Sequence, residues 1–311
     1  MENFVITFQN VLGMLFFMIP GFVIRKTGLV REKDIPSISQ VMIYTSTPFL
    51  VVNAFLKMDF AWGQVADMLL FFAVTLILQT AFFGILFLFI RKQAQDTEKR
   101  VFCSMAALGN LGYFGMPIVT AIFPDQPLAA CYVTMAMMSL NTLLFTVGVY
   151  CVSGDRKQIS FRAVLFNPAS IGLYIVLPFY LTGFGKMLPD AVKNACQSLS
   201  GMAAPLSMII LGIRLASGSL KETFSKPGAY LAVFVKLAVL PVFAFAVLYF
   251  LPFTKIFKSV ILVLCGAPSA SIGLSLAEIH GGGQRLAANT LLLSTVFCVV
   301  TLPLIVFILV G

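Results

Sequence analysis

The chain has 311 residues, 59% of them hydrophobic and only 11% charged, with a formal net charge of +9 and a mean hydropathy of +0.99. A soluble domain is about 25% charged and 45–50% apolar, so an ordinary globular protein is excluded. The apolar mass also exceeds what one core behind a polar surface can absorb. A bilayer is the remaining solvent, and a spanning helix takes about 20 apolar residues.

In chain order the apolar runs predict ten spans, at about 4–24, 38–56, 65–90, 101–123, 128–152, 168–185, 192–215, 228–251, 259–279 and 288–310. The first is expected to remain as a helix: Glu2 stands where a signal peptide is basic, and Arg25 and Lys26 follow the apolar stretch. The connections are of loop length, and no soluble domain interrupts the series. Cys103, Cys131, Cys151, Cys196, Cys265 and Cys298 have no CxxC spacing and read as buried free thiols.

The basic residues sort by side. Loops after odd-numbered spans hold fifteen Lys and Arg, the opposite side holds five, and Lys236 lies within a span. That bias places the odd loops in the cytoplasm and both termini outside. The positive charge is a topology signal, and a nucleic-acid partner is not expected.

Proline positions suggest an internal repeat. Pro20 pairs with Pro178, Pro48 with Pro205, and Pro117 with Pro268, in shared order. Around the first pair, LFFMIP (Leu15–Pro20) matches LYIVLP (Leu173–Pro178). Five spans per half would make the halves, 1–152 and 153–311, inverted with respect to each other, a known transporter plan.

Span four contains GNLGYFGMP (Gly109–Pro117), and span nine contains GAPSASIG (Gly266–Gly273). Three glycines, an asparagine and a proline in nine residues disfavour a continuous helix. Either each segment is a simple proline kink, or both are broken helices crossing near the midplane. In the second case half-helix N-termini, with bare amide donors and partial positive charge, would favour an anion.

The pair GNLGYFGMP and GAPSASIGLSLAEIHGG, followed by Leu302-Pro303, resembles the auxin efflux carrier family over essentially the whole chain. Bacterial members of that family include malate or malonate permeases, and plant members are auxin transporters. The resemblance implies a crossover architecture like that of sodium–proton antiporters and bile-acid symporters. It also implies a dimerising scaffold of spans one, two, six and seven, with a moving unit of spans three to five and eight to ten. Asn110 would contact a substrate carboxylate, with Gly112, Tyr113, Pro117, Pro268, Ser269 and Ser271 around the crossing. Asn141, beside Ser139, stands where plant relatives carry a substrate-facing tyrosine, a departure that favours smaller ligands.

Charges at membrane depth each have two readings. Lys236 lies about 13 Å into span eight: it is either a fixed cation offsetting half-helix C-termini or a structural lysine in a cavity. Glu278, near the cytoplasmic end of span nine, is either a gate or proton site or a solvated helix-end acid. His280 is the sole histidine and cannot build a metal site. Thr45, Ser46, Thr47 and Asn53 either line a pathway or bond their own helices.

The function expected is secondary transport of small organic anions by alternating access in a bacterial cytoplasmic membrane, with no cofactor. A fixed Lys236 in place of bound sodium would leave the membrane potential as driving force. A sodium- or proton-coupled symporter of the bile-acid type is the alternative, with proton coupling through Glu278 or Lys236 as the competing route. No P-loop pattern is present, so ATP hydrolysis is not expected. An intramembrane enzyme would need paired aspartates, HExxH or a serine with its base. A Ser–Lys site using Lys236 stays open, as does a channel.

Overall fold

A computed structural model describes residues 1–93, 95–218 and 226–310. Twelve helices are used as labels: α1 (Glu2–Lys26), α2 (Glu32–Leu56), α3 (Trp62–Gln93), α4 (Thr97–Ala107), α5 (Leu111–Ile122) and α6 (Pro127–Ser153). They continue as α7 (Arg156–Thr182), α8 (Asp190–Ser217), α9 (Pro227–Tyr249), α10 (Lys255–Cys265), α11 (Ser271–His280) and α12 (Gln284–Val310). The protein is an all-α, multi-pass membrane protein. Lys221, one of the residues behind the charge bias, lies outside the described residues.

The ten-helix, five-plus-five inverted repeat expected from the sequence is not what the structure has. Among the described residues eight helices are long and apolar enough to cross a bilayer: α1, α2, α3, α6, α7, α8, α9 and α12. The expected spans 101–123 and 259–279, read as broken helices, are the short pieces α4, α5, α10 and α11, which are not among the helices long enough to cross. A piece such as α4 or α10, 11 residues long, reaches only about 17 Å at 1.5 Å per residue, well short of a hydrocarbon core of about 30 Å. Three proline pairs in a chain with 15 prolines are too little to establish a repeat. The likeness to sodium–proton antiporters and bile-acid symporters falls with it.

Helices α1, α2, α7 and α8 pack most closely on one another. Glycine makes this possible. A Cβ at Gly21 of α1 would strike the Ile209 carbonyl of α8, one at Gly212 of α8 would strike the Met18 carbonyl of α1, and one at Gly172 of α7 would strike the Pro48 carbonyl of α2. Small residues let membrane helices approach backbone to backbone, where van der Waals contact replaces the hydrophobic drive absent in lipid.

The other helices form a second group, with α3 against α6, α9 against α12, and α4 and α10 enclosed between them. An aromatic cluster ties it together. Phe71 of α3 stacks on Tyr132 of α6 at 4.4 Å and meets Phe257 of α10 edge-on at 4.7 Å. Outward-facing residues such as Ile77, Phe89 and Val242 are exposed, as a lipid-facing surface requires.

Candidate functional site: the crossing of two interrupted helices

Helix α4 stops at Ala107 and α5 starts at Leu111; α10 stops at Cys265 and α11 starts at Ser271. The sequence dictates both stops. Pro268 has no amide hydrogen, and Gly109-Asn110 favours leaving the helical region. The backbone groups released must find partners, because lipid offers none. They find each other.

Gly109 and Ser269 form an isolated antiparallel bridge. The Asn110 amide donates to the Pro268 carbonyl at 2.8 Å, and the Ala270 amide donates to the Leu108 carbonyl at 3.0 Å. Ser269, fully buried, donates from Oγ to the Met105 carbonyl in the last turn of α4 at 2.8 Å. Its own amide donates to Ser294 Oγ of α12 at 3.1 Å.

Lys236 serves the other helix end. Its Nζ donates at 2.8 Å to the carbonyl of Cys265, the last residue of α10. The side chain is fully buried, and a Cβ at Gly109 would lie 3.1 Å from Nζ. The amine therefore sits against both interruptions, at the carbonyl end of α10. Glycine at 109 leaves the space it occupies. Lys236 itself lies in a π-helical turn, Val235–Val239, a distortion often found at functional sites.

A cavity of about 20 Å³, the size of one water, adjoins Lys236, Gly109 and Gln79 of α3. Gln79 donates from Nε2 to Ser139 Oγ at 3.0 Å, while its buried Oε1 has no partner among the described residues.

Other expected residues are placed as follows. Asn110 is 8% exposed, and its side chain makes no capping bond to α5. Gly112 lies against Met137 of α6, and Pro117 opens the regular turns of α5 after a π-helical start. The Tyr113 hydroxyl bonds Thr47 Oγ1 of α2 at 2.8 Å. Ser271 is the first residue of α11. The crossing thus unites Asn110, Pro268, Ser269 and Lys236.

It does not unite all of them. Asn141 Nδ2 donates to Oδ1 of Asn167, the residue that caps the regular part of α7, at 3.2 Å. Ser139 is buried and also donates to the Ala136 carbonyl at 2.8 Å. Both are committed to helix packing. Ser46 Oγ is buried without a partner among the described residues. Glu278 pairs with Arg214 of α8 at 2.6 Å.

Gln79, Arg214 and Ser294 are not among the residues expected from sequence. Gln79 and Ser294 are single polar residues in apolar runs, a weak signal, and Arg214 reads there only as a topology charge.

A family model described as "Membrane transport protein" matches residues 6–306. The chain belongs to the membrane transport protein family. It is 27% identical over 303 residues to an uncharacterized transporter of Methanothermobacter thermautotrophicus, covering 95% of this chain and 96% of that protein. It is 26% identical over 301 residues to an uncharacterized transporter of Methanocaldococcus jannaschii, covering 94% and 96%. Family and relatives alike are transporters, and this chain is a transport protein rather than an enzyme. Among the described residues no group of three His, Cys, Asp or Glu is placed to hold a metal ion.

Proposed function

We propose that the protein is a secondary carrier of small organic anions, carboxylates above all, with its substrate site at the crossing. One observation carries the reading. A buried asparagine without a capping bond, Asn110, lies at the start of α5 while a fully buried cation, Lys236, holds the end of α10. Helix N-termini at membrane depth attract anionic groups. A fixed lysine there lowers the cost of bringing a carboxylate into hydrocarbon.

With the positive charge supplied by Lys236, the carrier works without sodium. The membrane potential drives it, at about 2.3 kcal/mol per charge per 100 mV. The four-helix group α1, α2, α7 and α8 is the static part, through which two copies associate. The group carrying the crossing moves against it. The positive-inside bias sets the N-terminus and C-terminus outside a bacterial cytoplasmic membrane. Malate, malonate and auxin-like acids are the substrates to try first.

The test is uptake into proteoliposomes with sodium and voltage varied separately. Carboxylate uptake that follows voltage and ignores sodium is the expected result; strict sodium dependence refutes the coupling.

A further inference from the structure

A second polar cavity, of about 270 Å³, lies between α8, α11 and α12. Its walls include Arg214, Ser217, Glu278, Arg285, Asn289 and Glu32. Arg214 occupies the last turn of α8 and grips both carboxylate oxygens of Glu278, at 2.6 and 3.4 Å. Helix α8 belongs to the closely packed four-helix group, whereas α11 starts at the crossing and packs on α4, α6 and α12. The ion pair is therefore a tie between the two groups, set in a cavity large enough for a small dicarboxylate.

The two side chains are 19% and 42% exposed. A partly exposed pair of this kind biases an equilibrium by less than about tenfold, too little to lock a carrier shut. It is well suited to exchange. A guanidinium has five N–H donors in a fixed fork that matches a carboxylate, and Glu278 engages two of them.

We propose that this cavity is an acceptance site for the carboxylate of the transported anion. Arg214 is the receptor, and Glu278 is the resident carboxylate that the substrate displaces. Arrival of the anion replaces a link between α8 and α11 with a link between α8 and substrate, leaving α11 free to move. Formal charges on Glu32, Arg214, Glu278 and Arg285 cancel, which makes the site a place of transit rather than tight capture. The proposal rests on the organic-anion reading given above.

Half-saturating concentrations for malonate and succinate, read by thermal stabilisation of the purified full-length protein and by uptake into proteoliposomes, test it. Exchange requires opposite effects from the two partners. Glu278→Gln removes the competitor and lowers the half-saturating concentration about threefold to tenfold; Arg214→Gln raises it by at least as much. A merely structural tie is broken equally by either change, so shifts in the same direction overturn the proposal. Should Arg214→Gln not fold, Glu278→Gln decides alone: a fall supports exchange, and a rise or no change refutes it. Asn110→Ala separates the two readings. If it abolishes the response while the Arg214 and Glu278 variants shift alike, the crossing stands and the acceptance site falls. No response to either acid in the unaltered protein removes both.

Discussion

Lys236 Nζ lies 2.8 Å from the carbonyl oxygen of Cys265, so a side chain of α9 closes the end of α10. The contact accounts for a fully buried lysine in an apolar helix, because the last carbonyls of a helix have no partner within it. Met fills nearly the same volume without the charge, but it leaves the Cys265 carbonyl without its donor, a cost of about 1–3 kcal/mol. Lys236→Met is expected to keep a monodisperse fold while anion uptake falls more than tenfold. Uptake at the unaltered rate removes the lysine from the transport mechanism.

The group of α1, α2, α7 and α8 is held by glycines that admit backbone. Gly212→Ala puts a methyl against the Met18 carbonyl and is expected to cost about 1–3 kcal/mol, the range for overpacking. Gly13→Ala is the matched control, since nothing lies within 4 Å of its added methyl. Thermal unfolding in detergent should separate the two. Equal melting temperatures would contradict the close α1–α8 packing.

Tyr113 of α5 and Thr47 of α2 join the two helix groups through one hydrogen bond of 2.8 Å. Tyr113→Phe and Thr47→Val should each destabilise by about 0.5–1.5 kcal/mol. In a double-mutant cycle their effects should be non-additive. Full additivity would show that the pair does not interact in the membrane.

Orientation is open to thiol labelling with little background, because all six native cysteines are buried. Cysteine placed at Lys33 or Lys92 should react only from the cytoplasm, and at Lys57 only from outside. Labelling in the reverse sense would overturn the orientation assigned from charge.

The membrane class and the breaks at Gly109–Pro117 and Gly266–Gly273 were legible because composition and helix-breaking residues act locally. The number of long helices was not. An apolar run of about 20 residues looks the same whether it is one helix or two, and only backbone pairing between Asn110 and Pro268 shows how the freed groups are satisfied. Asn141 and Ser139 illustrate the other difficulty. A polar side chain in an apolar run signals a partner without naming it, and theirs are Asn167 and Gln79. Arg214 was hidden for the same reason: its partner, Glu278, lies 64 residues away.

Under the proposed function the crossing binds organic anions through Asn110. Thermal stabilisation of the purified protein by monocarboxylates, dicarboxylates and indole acids, compared between the unaltered chain and Asn110→Ala, tests it most directly. Stabilisation by at least one carboxylate, lost in Asn110→Ala although the variant still folds, is the predicted result. Stabilisation by cations or neutral sugars alone, or a carboxylate response that persists undiminished in Asn110→Ala, would contradict it.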